Sequence, residues 1–221
     1  FHASCACCGS TQSYFMRGMT FDEILKISDD YLVFLNQVKN EEAILTIQTV
    51  RQSILNLQGK TLSKLSFDTK EFDESLSIKA YENFESRHFA HYYFINKMQV
   101  LYLREDFEQA YEVSLVSNSY LKDSPGMLHT AEHFYFKALI ICSLYENAGA
   151  IQRLKWRRAV KSILNRFHTY SEGCPDNFLH KYQLLKGQYC LITKDFSGME
   201  KSLIRLCASS GTCQLFTGQI L

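Results

Sequence analysis

Apolar residues recur at three- and four-residue intervals along almost the whole chain, and period-2 alternation is scarce. Such spacing puts an apolar edge on one helix after another and leaves no pattern for a sheet. Only two prolines and ten glycines interrupt the 221 residues. Thr20-Phe21-Asp22-Glu23 fits a capping box, in which a hydroxyl caps the first turn and a carboxylate reaches back. The helix it starts carries Phe21, Ile24, Leu25, Leu32, Leu35 and Val38 on its apolar side. A second helix is predicted from about Glu41 to Leu57, with Ile44, Ile47, Val50, Ile54 and Leu57 as its stripe and Gly59 as its C-terminal cap. Residues 59 to 70 are polar and form the one long connection, with a short helix expected over roughly 71 to 83. Further helices are predicted over roughly 86–103, 107–121, 127–147, 151–171, 177–193 and 196–208. They are joined by Arg104-Glu105-Asp106, Asp123-Ser124-Pro125-Gly126, Gly173-Cys174-Pro175-Asp176 and Lys194-Asp195. Links this short make consecutive helices antiparallel neighbours, and the fold class is all-α.

Asp106-Phe107-Glu108-Gln109-Ala110 recurs as Asp195-Phe196-Ser197-Gly198-Met199, each time between an aromatic-rich helix and an amphipathic one. Gly187, Met199 and Leu203 have the spacing of the small, small and aromatic positions of a tetratricopeptide pair. A small residue on the first helix lets the second cross it closely. At ~34 residues per pair, the length would hold about six pairs.

Arg51-Gln52-x-x-Leu55-Asn56-Leu57-x-Gly59, Phe134-Tyr135 through Leu144-Tyr145, and Asn177-Phe178-Leu179-His180-Lys181-Tyr182 carry a resemblance. From about Phe15 to Leu206 the chain resembles the tetratricopeptide-like helical region of very large bacterial signalling proteins. These join a serine/threonine kinase-like domain, an AAA-type (STAND) ATPase, the helical region, a GAF domain and a sensor histidine kinase. The resemblance implies antiparallel helix pairs stacked as a right-handed α-solenoid, lying between the ATPase and the sensor modules. The shared residues are packing and turn residues, and none of the catalytic modules' motifs is present, so no catalytic role carries over.

Composition narrows the function classes. With 24 Lys+Arg against 23 Asp+Glu, 46% hydrophobic and 21% charged residues, the chain is globular and nearly neutral. That balance lacks the electrostatic footprint of a nucleic-acid binder. No apolar run reaches the ~18 to 20 residues of a membrane span. The opening Phe1-His-Ala-Ser-Cys-Ala-Cys-Cys has no basic start or apolar stretch, and the chain reads as one domain over 1–221, a piece of a longer polypeptide. Eight cysteines, at 5, 7, 8, 142, 174, 190, 207 and 213, are too sparse for a disulfide scaffold. Cys142 and Cys190 fall inside apolar helical patterns, and a reducing, cytoplasmic location is expected.

His129-Thr130-Ala131-Glu132-His133 spells the H-x-x-E-H of inverted zinc peptidases. Two imidazoles four apart on a helix could share a zinc, with the glutamate as base, but no third ligand is recognisable. The run also opens a plain packing face, Phe134, Tyr135, Phe136, Leu139 and Ile140. Cys5-Ala6-Cys7-Cys8 holds one C-x-x-C that His2 could extend to a third ligand, with nothing for a fourth. Cys207 and Cys213 stand near the other end. Gly59-Lys60-Thr61 lacks the earlier glycine of a phosphate loop, since Ile54 occupies that place. His88 and His91, beside Arg87, read as a helix face next to Tyr92 and Phe94.

Gln152-Arg153-Leu154-Lys155-Trp156-Arg157-Arg158, with Lys161 and Arg166, is the one basic cluster. Trp156, Val160, Ile163, Phe167 and Tyr170 form the buried stripe of that helix, and the cations fall on its other faces. They read as a solvated face, or as one that meets an acidic partner or an adjacent domain. Thirty aromatic residues, counting one Trp, 13 Tyr and 16 Phe, exceed what a core of this size needs. Tyr92, Tyr93, Tyr102, Tyr135, Tyr182 and Tyr189 are candidates to line a concave groove.

The expectation is a non-catalytic protein-interaction and inter-domain coupling scaffold, with no catalytic, cofactor or metal residue. Its partners would be protein or flanking domains, with neither nucleic acid nor membrane. The alternative is a sensory module holding a peptide or small ligand in its groove.

Overall fold

The computed structural model describes residues 2–84 and 87–209. Ten α-helices occur among them: α1 (His2–Met16), α2 (Phe21–Gln37), α3 (Glu41–Leu57), α4 (Glu74–Asn83), α5 (His88–Leu103), α6 (Phe107–Asn118), α7 (Leu128–Leu144), α8 (Ala150–Gly173), α9 (Pro175–Ile192) and α10 (Phe196–Ser209). Two single-turn 3-10 segments, Leu121–Asp123 and Tyr145–Asn147, flank α7, and no strand is present among the described residues. The chain is all-α, as its spacing predicts. The capping box before α2 is complete, with the Thr20 hydroxyl accepting from Glu23 N and the Glu23 carboxylate accepting from Thr20 N. Residue 86, where the fourth expected helix would start, lies outside the described residues, as does Cys213.

One helix has no counterpart among the predicted spans. α1 buries Ser4, Cys8, Thr11 and Gln12 beside Phe15 and Met16. Small and polar side chains cover its inner face, so no apolar period marks its ends.

The described contacts form two compact units, dividing between Thr130 and Ala131. In the first, α3 packs against α1, α2 and α5, and α5 packs against α4 and α6. Ala43 and Ile47 of α3 join Leu35, Tyr81, Phe89 and Tyr93 in one apolar cluster, while Val50 and Ile54 join Phe15 and Ile24 in another. In the second unit α9 packs against α8 and α10. The predicted α8 stripe is in place: Val160, Ile163 and Phe167 are buried, and Trp156 and Tyr170 are half-buried.

Three helix pairs are closed by the same link. After α2, α5 and α9 the cap residue is followed by a left-handed residue, Lys39 (φ 53°), Glu105 (φ 63°) or Lys194 (φ 61°). The next residue, Asn40, Asp106 or Asp195, returns its N–H to a carbonyl five residues back, on Leu35, Leu101 or Cys190. This is the Schellman arrangement, which satisfies carbonyls the helix leaves open. The same Asn or Asp then caps the following helix, accepting from Ala43 N, Gln109 N or Gly198 N at 3.0 Å. The second and third links are the Asp-Phe repeat of the sequence; the first uses Asn in the same role. At the third link a Cβ on Gly198 would come within 2.9 Å of Cys190 Sγ and closer to the Asp195 carboxylate, so those side chains would have to shift to admit another residue. Gly187 faces Leu203 and Ser202 at 3.9 Å, ordinary contact for an added Cβ.

The long connection after α3 is ordered by Asn56 and Glu74. Gly59 (φ 74°) ends the helix in the left-handed region, as its position predicts. The buried Asn56 amide lies 2.8–3.3 Å from Thr61 Oγ1 and the carbonyls of Ser63, Lys64 and Ser66. Arg104 Nε donates to Asn56 Oδ1 at 3.2 Å.

Replacing Asp106 or Asp195 by Ala should lower stability by about 1 kcal/mol each through loss of the cap. Denaturant unfolding of the two single variants checks this, and the circular dichroism of the folded protein should stay unchanged.

Candidate functional site

The H-x-x-E-H run occupies the first turns of α7, and its side chains are engaged in packing. The His129 ring is buried and lies over Tyr92 (centroids 4.0 Å, 36°) and edge-on to His91 (5.1 Å, 74°). Burial pulls the His129 imidazole down to about 3, reinforced by His91 and His88. His91 Nδ1 is 3.0 Å from Ser124 Oγ, and burial, opposed by Asp123, lowers its pKa to about 4. Glu132 is ion-paired with Lys181 of α9, whose ammonium also sits 5.1 Å from the Tyr135 ring centre. His133 is buried beside Phe134. Among the described residues no three His, Cys, Asp or Glu side chains gather as a metal site.

The remaining candidates are similarly placed. Cys8 is buried, donates to Ala43 O at 3.6 Å, and has its thiol pushed up to about 12 by burial. Cys5 and Cys7 are half-buried on the same helix. Gly59 and Thr61 belong to the α3 stop, with Thr61 Oγ1 beside the Asn56 amide. Arg87 pairs with Asp123 at 3.3 Å over the Tyr120 ring, and His88 stacks on Phe89.

Of the six groove candidates, Tyr93 is buried and Tyr92, Tyr102, Tyr135, Tyr182 and Tyr189 are half-buried; none is exposed. Tyr102 packs on Phe107, Tyr135 on Phe167 and Tyr182 on His168. A shallow open depression at the α2–α3 link is lined by Val38, Lys39, Asn40, Glu41, Glu42 and Phe84.

The densest charged centre escaped the sequence pattern. Glu74, buried at the start of α4, accepts from Phe67 N (2.9 Å), Tyr93 Oη (2.6 Å) and Lys97 Nζ (2.6 Å). Lys97 also donates to Leu65 O at 2.6 Å and lies 4.6 Å over the Phe67 ring. Both charges are therefore paired and hydrogen-bonded, the condition on which a buried ion pair is tolerated. The arrangement ties residues 65–67 and α4 to α5. Its one sequence signal is Tyr93 and Lys97 sharing a helix face; Glu74, 23 residues from Lys97, carried none.

Two outer faces of the second unit present chemistry to solvent. On α10, Phe196 and Ile204 are exposed, while Leu203, beside the packed Ser202, is part-covered by α9. On α8, Lys155, Arg157, Arg158 and Lys161 are exposed. The near-neutral total conceals an uneven distribution: 12 Lys+Arg against 17 Asp+Glu over residues 1–130, and 12 against 6 over 131–221. No family model, curated protein or solved structure matches this chain.

Two predictions concern the buried polar groups. Lys97→Met should destabilise the protein by about 3–5 kcal/mol by stranding the Glu74 carboxylate. Pairing it with Glu74→Leu should recover part of that loss, as a double-mutant cycle in urea would show. His91, His129 and His180, each held by burial well below the ordinary 6.5, stay neutral in the folded chain but take protons when unfolded. Stability should therefore be full above pH ~6.5 and fall as pH drops toward 4, by up to about 2 kcal/mol each for the buried His91 and His129 at pH 5 and by less for the half-exposed His180. Thermal melts from pH 7.5 to 4.5 check the window, and His129→Gln should flatten the decline.

Proposed function

We propose that this chain is a non-catalytic helical-repeat scaffold. It binds protein or couples flanking modules within a cytoplasmic bacterial signal-transduction polypeptide of the kinase- and ATPase-bearing kind. The observation that carries the reading is the threefold link of α2–α3, α5–α6 and α9–α10. A recurring pair with one turn geometry is the unit from which tetratricopeptide-like right-handed stacks are built. In a stack of this kind each repeat packs on its neighbours, which is how strain would pass along it. The outer face of α10, with Phe196 and Ile204 exposed, is the kind of edge such a stack offers to an adjoining module. The residues that spell an enzyme motif support the same reading, because His129 and Glu132 are committed to Tyr92 and Lys181.

Inserting a Gly-Ser-Gly-Ser spacer between Lys194 and Asp195 of the full-length polypeptide tests it. The spacer uncouples α10 from α9 while leaving each helix its sequence. ATP hydrolysis or autophosphorylation by the flanking modules should change about fivefold or more, with helix content retained. Rates within about twofold of the parent, in a folded variant, would overturn the coupling role.

A further inference from the structure

We propose that the outer face of α8 docks an acidic polypeptide segment that carries an apolar side chain at one end. This rests on the scaffold reading and names the chemistry of its partner. Lys155, Arg157, Arg158 and Lys161 are exposed and make no ion pair among the described residues. No Asp or Glu stands between Glu146 and Glu172, so nothing on the helix offsets them. The first turn holds no acid, and the Gly149 cap contributes no side-chain acceptor. Local stability therefore gives no reason for these charges to be there; an anionic partner does.

The apolar residues specify which anion. Ile151 (76% exposed) and Leu154 (43%) continue into Arg158 and Lys161 at helical intervals of three, four and three, one stripe with Lys155 and Arg157 at its sides. At ~1.5 Å per residue the stripe is ~15 Å long, matching two to three turns of a partner helix. A phosphate backbone would leave Ile151 and Leu154 wet. The rings that could stack on bases are engaged, with Phe167 and Phe178 packed together and Arg166 over Phe134 at 4.1 Å. Insertion into a lipid surface needs a free apolar helix face, and that of α8, Val160, Ile163 and Phe167, is buried. Carboxylates from a polypeptide, with one large apolar residue to cover Ile151 and Leu154, fit both halves of the stripe.

The test titrates the whole chain with an acidic amphipathic helical peptide of about 15 residues, glutamates along one face and a leucine at its end. Parallel titrations use the same peptide with Gln for Glu, single-stranded RNA, and phosphatidylserine vesicles. The acidic peptide should bind more tightly than the other three, more weakly as salt rises. Arg157→Glu/Arg158→Glu/Lys161→Glu should weaken it about tenfold or more, with a melting temperature equal to or above the parent's. Ile151→Ser/Leu154→Ser should weaken the peptide severalfold and leave any RNA binding unchanged. Equal affinity for the Gln peptide, tighter binding of RNA or vesicles, or indifference to the triple reversal would each overturn the proposal. The spacer experiment reads a different quantity, so this docking face can fail while the scaffold stands, and the reverse.

Discussion

A helix ends with carbonyls that its own N–H groups cannot reach, and the next helix begins with N–H groups that have no acceptor. In this protein one three-residue link answers both needs at once. The backbone N–H of Asn40, Asp106 or Asp195 turns back to close the preceding helix, and its side chain caps the next. Chain reversal, and with it the antiparallel pairing of α2–α3, α5–α6 and α9–α10, follows from that economy. It requires a left-handed residue, and Lys or Glu holds the position in all three, at about 1–2 kcal/mol of strain apiece. The packing of Leu35, Leu101 and Cys190 just inside the turn compensates for it.

Residue types that carry chemistry elsewhere are absorbed into packing here. Two buried ion pairs among the described residues, Glu74–Lys97 and Glu132–Lys181, share a design in which the ammonium also faces an aromatic ring, Phe67 in one case and Tyr135 in the other. Each joins elements distant in sequence. His91 and His129 pack ring against ring, and His129 lies over Tyr92. A motif such as H-x-x-E-H is a statement about spacing; the direction each side chain takes depends on what packs against the helix.

Charge behaves differently on the surface. A total of +1 averages an acidic stretch up to residue 130 with a basic one beyond it. On α8 the cations concentrate on one exposed face because the buried stripe claims the other, so a modest count becomes a dense local field.

Helix starts and stops were legible because they depend on neighbours in sequence: Thr20 with Glu23, Gly59 after α3, Asp106 and Asp195 before their phenylalanines. The Val160, Ile163 and Phe167 stripe was legible for the same reason, as periodicity is local. α1 was not, since Thr11 and Gln12 bury as readily as leucine once hydroxyl and amide find partners in the Cys7 carbonyl and Asn96, and no hydropathy pattern records that. The clustering of Glu74 with Tyr93 and Lys97, the contact of His129 with Tyr92, and the partial covering of most tyrosines expected to face a groove arose only when distant helices met. The sequence by itself determined which segments other than α1 are helices and where their short links fall, because capping and periodicity are interactions within a few residues. Tertiary structure alone decided which polar groups are buried together and which cations are left facing water, because that depends on the surface another helix brings.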